Sequence, residues 1–202
     1  MTSNPAAGSS LTVDAAERHP ATVHARAMMT ALGFDVDDEA TVRTPARFVK
    51  ALLELTSGAT LDPDRHFAVT FPPPSVDPGM VVVPGIPFTS VCEHHLLPFT
   101  GTATVAYLPS GRIVGLSKLA RVVQEYAARP QVQERLGDQV TQAIDKNLST
   151  LGAACILHAV HSCMTLRGAR AAGAAMVTSH LTGRFRDDPA VRAELMQLAD
   201  TA

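Results

Sequence analysis

Ser90-Val91-Cys92-Glu93-His94-His95-Leu96-Leu97-Pro98-Phe99 packs a thiol, a carboxylate and two imidazoles into four consecutive positions. Apolar residues flank the run on both sides, which places it at the edge of a core and not on a solvated tail. Cys92 and His95 have the Cys-x2-His spacing that lets one tight turn offer sulfur and nitrogen to the same metal. Two ligands do not make a site. The chain has to bring more from elsewhere, and His161-Ser162-Cys163 is the best donor.

The composition sets bounds around that run. A chain of 202 residues suits one domain of ordinary size with room for an N-terminal appendage. Hydrophobic residues make up 46% but aromatics only 4%, with no Trp, so the core is aliphatic. The net charge of −2 argues against non-specific nucleic-acid binding. Any anion site must therefore be built locally from a few Lys and Arg. No apolar run reaches the roughly 18 residues of a membrane span. The N-terminus lacks a basic segment followed by an apolar one, so no secretory signal is expected. Three irregularly spaced cysteines fit free thiols and metal ligands in a reducing cytosol better than a disulfide framework. A cytoplasmic location follows as an expectation.

Before the Cys-Glu-His-His run the chain reads as helical. Residues 1–20 are rich in Ala, Ser, Thr and Pro and are expected to form a flexible tail. Residues 21–58 read as an N-terminal helical segment. Val23, Ala27, Ala31, Met28 and Leu32 recur at four-residue spacing, with Gly33 as a stop. Thr44-Pro45 opens a second helix, Thr as N-cap, with Phe48, Leu52, Leu53 and Thr56 inward. Arg47 and Lys50 share another face, which by spacing alone suits a solvated surface. Residues 59–79 form a Pro-rich connection, with a short strand at 67–71, and residues 59–202 read as the main domain.

Within that domain, Met80–Val83 and Pro87–Val91 read as strands. Gly101–Leu108, the turn Pro109-Ser110-Gly111 and Arg112–Gly115 read as a hairpin. Ser117 then N-caps a helix carrying Lys118 and Arg121 on its first turn. Free N–H groups, a cap hydroxyl and two cations make a credible phosphate site, and two solvated charges explain the pattern equally well. Pro130 starts another helix, with Gln133 and Glu134 in its first turn. Ala153–Met164 reads as a buried strand whose period of two puts Cys155, His161 and Cys163 on one face. Val177–Leu181 reads as a last strand, and Pro189–Leu198 as a C-terminal helix with Leu195 and Leu198 inward. The whole is α+β, an antiparallel sheet covered by helices.

Cys92, His95 and Cys163 would give zinc three protein ligands and leave a fourth position for water. A structural site would instead close with His94 or His161. Spacing leaves open catalytic zinc, closed structural zinc and no metal all standing. An open site supplies hydroxide near neutral pH, and spare imidazoles beside it can move protons. Lys118, Arg121 and Arg167, with Arg47 and Lys50, are candidate phosphate binders beside the carboxylate of Glu134. Residue chemistry alone reaches a metal hydrolase of a nucleotide-like substrate.

Five pieces in order resemble GTP cyclohydrolase I. They are Thr44-Pro45-Ala46-Arg47-Phe48-Val49-Lys50; Ser90 to His95 with Pro98-Phe99; Gly115-Leu116-Ser117-Lys118-Leu119-Ala120-Arg121; Arg129-Pro130-Gln131-Val132-Gln133-Glu134-Arg135-Leu136; and His161-Ser162-Cys163-Met164 with Arg167-Gly168. The resemblance runs from about Thr22 to Leu198. It implies the tunnelling fold (T-fold), an antiparallel sheet with helices on one face, here with an N-terminal helical extension. It implies a toroidal homodecamer with active sites between subunits.

It also implies one zinc per subunit on Cys92, His95 and Cys163. Water activated there attacks C8 of GTP, the imidazole ring opens, and formate leaves. The ribose then rearranges and closes a new ring, giving 7,8-dihydroneopterin triphosphate for tetrahydrofolate and pterin biosynthesis. His161 matches the proton donor to the purine nitrogen, and His94 the second catalytic histidine. Glu134 matches the carboxylate that holds the guanine edge, with Gln133 beside it. Ser117 matches a residue near the ribose. Lys118, Arg121, Arg167, Arg47 and Lys50 match the triphosphate contacts. Allosteric control is a further property the resemblance suggests.

Two stretches depart from the family pattern. Ala171-Ala172-Gly173-Ala174-Ala175-Met176 stands where a Ser/Thr-rich strand is usual, and Phe71–Pro78 is Pro-rich. Neither touches the candidate metal or acid–base positions. The competing reading is a binding module with purely structural zinc that holds a purine or pterin without turnover. A related nitrile reductase of the tunnelling fold uses a cysteine nucleophile and has no Cys-Glu-His-His run.

Overall fold

Two units make up the chain in the computed structural model, which describes residues 11–199. One unit runs through Ser57 and the other begins at Gly58. The first contains α1 (Val13–Glu17), α2 (Pro20–Ala31) and α3 (Thr44–Leu55). The expected tail lies outside the described residues as far as residue 10. Beyond it, Thr12 caps a helix by accepting from Ala15 N. Arg43 ties that helix to α3 through ion pairs with Glu17 and Asp14. Five residues are too few to show an apolar period, which is why composition alone suggested a tail.

The inward faces of α2 and α3 also differ from the sequence reading. Ala25 and Met29 are buried on α2, while Val23 and Leu32 are about two-thirds exposed. On α3 the buried residues are Pro45, Ala46 and Val49; Phe48 faces solvent in part, and Arg43 takes the N-cap position in place of Thr44. Both helices offer more apolar positions than one face needs, so periodicity does not choose among them.

The second unit opens with a 3-10 turn (Pro63–Phe67) and β1 (Thr70–Phe71). β1 pairs with β4 (Ile113–Val114). The segment after the 109–111 turn thus leaves β3 instead of closing the expected hairpin. Among the described residues the main sheet has the order β5-β2-β3-β6-β7. Its strands are β5 (Pro130–Gln131), β2 (Val81–Cys92), β3 (Pro98–Leu108), β6 (Gly152–His161) and β7 (Met176–Leu181). β2 is one strand where two were expected. A register shift between Val83 and Ile86, with Gly85 at φ +69°, absorbs the Pro84-Gly85 interruption as a bulge. All pairings are antiparallel except β5 with β2, so the sheet is mixed at one edge.

Alternation along the strands builds two cores. Val105, Tyr107, Cys155 and Leu157 face α4 (Leu116–Ala127) and α5 (Gln133–Leu148), which bring Leu119, Val122, Leu136 and Ile144 to the same cluster. Each such fully buried aliphatic side chain contributes roughly 1.5–3 kcal/mol. Ala106, Leu108 and Ala154 point the other way, against Phe185, Val191 and Leu195 of α7 (Gly183–Asp187) and α8 (Pro189–Ala199). The long helices thus cover one face, and the short C-terminal pair covers part of the second. Leu195 is inward as expected, whereas Leu198 is 41% exposed.

The strand register decides where chemistry can gather. β2 ends at Cys92, and β6 runs antiparallel to β3 so that His161 sits opposite Phe99. Gln131 of β5 pairs with Cys92, which brings the first turn of α5 to the same end of the sheet. β6 stops at His161, and Ser162–Thr165 turns into the short helix α6.

Candidate active site

Cys92, His95 and Cys163 converge, with one ligand atom from each lying within 4.8 Å of the others. Cys92 Sγ is 3.6 Å from His95 Nδ1. Two donors at about 2.3 and 2.05 Å from one tetrahedral zinc stand roughly 3.5 Å apart, so this pair already has the required spacing. The turn that sets it is strained. Cys92 O accepts from both His95 N and Leu96 N, and Leu96 adopts φ +53°. That conformation costs a non-glycine residue about 1–2 kcal/mol.

Cys163 reaches the cluster from α6, not from the strand. The expected shared strand face with His161 is therefore incorrect. Ser162 Oγ donates to Pro98 O at 2.5 Å where the chain turns. The turn separates the two residues by role, with Cys163 toward Cys92 and His161 toward α5. Burial, followed by the neighbouring sulfur of Cys92, pushes the Cys163 thiol up, while the nearby Arg167 pulls it down. Two thiolates this close repel each other, and a divalent cation between them reverses the preference.

His161 is held on two sides. Its ring stacks on Phe99, with centroids 4.3 Å apart and planes at 7°. Its Nε2 lies 2.9 Å from Gln133 Oε1. Burial lowers its pKa, and the charge of Glu134 opposes that shift. Glu134 is exposed on the first turn of α5 with no ion-pair partner among the described residues. Gln133, expected beside Glu134 at a guanine edge, is instead 1% exposed, and both ends of its amide are engaged inside the protein.

His94 stays outside the three-donor group. Its side chain is 65% exposed, its Nδ1 is 4.0 Å from Cys92 Sγ, and its Nε2 is 4.0 Å from Glu93 Oε1. Glu93 is not a ligand either, since it pairs with Arg135 on α5, which holds its carboxyl below the usual range. Arg135 Nε also donates to Gln131 Oε1 at 2.8 Å, and the buried Gln131 amide donates to Gln139 Oε1 at 2.7 Å. This polar row braces the Cys92–His95 turn and was not anticipated. Its signal was present, because Gln131, Arg135 and Gln139 recur every four residues.

Ser117, Lys118 and Arg121 stand on the first turns of α4. Gly115, not Ser117, occupies the N-cap position, and no side chain caps the helix. Neither Lys118 nor Arg121, nor Arg167 after α6, has a carboxylate partner among the described residues. Arg47 and Lys50 belong to the N-terminal unit, where Lys50 Nζ is 2.5 Å from Glu54 Oε1.

A family model described as GTP cyclohydrolase I matches residues 21–200. The chain belongs to the GTP cyclohydrolase I family. Its α+β architecture, a five-stranded mixed sheet with helices packed on it, accords with the fold expected of that family. A protein of Rhodopirellula baltica named GTP cyclohydrolase 1 is 48% identical over 177 residues, covering 88% of this chain and 76% of that protein. Another with the same name from Bacillus subtilis is 43% identical over 173 residues, covering 85% and 90%. A third, from Mycolicibacterium gilvum, is 45% identical with 86% of each chain covered. No helix among the described residues is long and apolar enough to cross a membrane.

Proposed function

We propose that this chain is a zinc-dependent GTP cyclohydrolase I. It hydrolyses and rearranges GTP to 7,8-dihydroneopterin triphosphate and formate, the first step of tetrahydrofolate and pterin biosynthesis. The observation that carries this reading is the three-donor cluster of Cys92, His95 and Cys163 with two further histidines beside it that are not used as donors. Those three residues would hold one zinc per subunit. When bound with an open position, the ion supplies hydroxide from water at neutral pH.

The remaining roles fall to the chain's own groups. His161, fixed on Phe99, exchanges protons with the purine nitrogen. His94, exposed on the metal turn, serves as the second acid–base group. Glu134 holds the guanine edge by accepting from ring and exocyclic N–H groups, and Ser117 lies near the ribose. Lys118, Arg121 and Arg167, joined by Arg47 and Lys50, bind the triphosphate. That group carries about four negative charges, and cations without carboxylate partners suit it. Lys50 exchanges Glu54 for phosphate in this scheme.

Residues 59–202 form the catalytic domain and residues 21–58 a helical segment. Subunits assemble as a toroidal homodecamer with sites between them. The outer edge of β7, which has no strand partner among the described residues, supports continuation of the sheet into a neighbour. A cytoplasmic location accords with the three free thiols.

The test is to incubate the purified protein with GTP, with and without a zinc chelator, and to follow pterin fluorescence and formate. Turnover that disappears with zinc and returns on its addition is expected. Undiminished turnover in metal-free protein would sink the mechanism. Zinc retention with no turnover would favour the structural-zinc binding module.

A further inference from the structure

Gln133 sits at a junction that leaves its amide only one orientation. Its nitrogen lies 3.1 Å from Leu157 O, 3.1 Å from Met176 O and 3.2 Å from Thr178 Oγ1. Carbonyl oxygens only accept, so the nitrogen end of the amide has to face them. The oxygen end then faces His161 Nε2 at 2.9 Å. An amide oxygen also only accepts, so the imidazole nitrogen must carry the proton. Reversing the amide would set its oxygen against two carbonyl oxygens in a site where Gln133 is 1% exposed. Rotating the His161 ring by half a turn would keep the stack on Phe99 but put carbon where the hydrogen bond is. Among the described residues Nδ1 of His161 has no hydrogen-bond partner.

We propose that Gln133 is a positioning residue for His161 and not a substrate contact. It fixes the ring as the Nε2–H tautomer and leaves Nδ1 as the atom that exchanges a proton with substrate. The device is anchored on backbone from β6 and from the start of β7, so it holds the histidine by the sheet itself. The inference rests on the reading of His161 as an acid–base group in GTP turnover.

Two measurements test it. Magic-angle-spinning NMR of sedimented protein labelled with 15N in its histidine rings reads the tautomer directly, with His161 assigned by difference against His161→Asn. A proton on Nε2 is expected, and a neutral His161 protonated on Nδ1 would overturn the proposal. This reading needs no turnover, so it is separable from failure of the cyclohydrolase assignment, which would show as wild-type protein making no pterin. Gln133→Met keeps side-chain volume and removes both ends of the amide. It is expected to lower kcat about 10- to 100-fold, as loss of a group that orients an active-site histidine does, with KM for GTP within about twofold and zinc content unchanged. A rise in KM with kcat retained would make Gln133 a substrate contact and overturn the assignment.

Discussion

The imidazole of His161 lies flat on the ring of Phe99, and the two residues are register partners across β3 and β6. Phe99 is 1% exposed and also meets Phe88 edge-on, with centroids 6.0 Å apart. The histidine therefore borrows its rigidity from the core. Phe99→Ala should cost about 3–5 kcal/mol, as large-to-small changes at buried aromatics do. Phe99→Leu keeps most of the apolar contact but removes the flat face. It is expected to fold, to keep its metal, and to lose kcat more than KM. Equal kcat in Phe99→Leu and wild type would show that the stack contributes packing only.

The roles proposed for Cys163 and His161 predict opposite metal behaviour. Cys163→Ala removes one of three donors, so zinc and activity should disappear together in a titration followed by metal analysis. His161→Ala removes a ring that Gln133 already turns away from the cluster, so zinc should remain near one per subunit while pterin formation stalls. Zinc loss in His161→Ala would mean that the ring is a ligand.

The grouping of Cys92, His95 and Cys163 and the fold class were more legible in the sequence than the local geometry. Cys92 and His95 are legible because a tight turn forces their spacing, and five ordered motifs place Cys163 with them. Strand periodicity misplaced Cys163, because a two-residue alternation carries no mark of the point where β6 gives way to α6. In the sequence Pro130 reads as a helix start, yet it pairs with β2, and α5 begins three residues later at Gln133. The row formed by Gln131, Arg135 and Gln139 recurs every four residues, but its tie to Glu93 is set by tertiary contact. The inward faces of α2 and α3 were misread for a related reason, since small residues such as Ala25 and Ala46 fill tight contacts that hydrophobicity ranks low.

The Arg135–Glu93 pair has a definite pH signature. Arg135 holds the Glu93 carboxyl below its ordinary value of 4.5, so the pair stabilises the folded state fully above that value. Its contribution is lost as the pH falls through the depressed folded-state value. The Tm difference between metal-free wild type and Arg135→Gln should therefore be constant from pH 7 to about 5 and shrink on further acidification. A difference that grows toward acid would reverse the sign and remove the pair as its cause.

Gly101 offers the sharpest test of how tightly the sheet holds His161. A Cβ at this position would lie 2.0 Å from His158 O and 2.7 Å from the Cα and Cβ of Ala159. These atoms are backbone, or fixed to it, and β3 is paired on both sides, so relief requires shifting β6. Gly101→Ala is expected to cost about 3 kcal/mol or more, at the upper end of overpacking penalties. The displaced residue Ala159 is two positions from His161, so residual activity should fall further than the loss of folded protein explains. Gly137→Ala is the matched control. There the added methyl meets the ring of His180 at 2.3 Å, a side chain that can turn away, and a cost near 1 kcal/mol is expected. Denaturant melts of the two variants should separate them in that order. Equal costs would mean that β6 yields as easily as a side chain and does not fix the histidine.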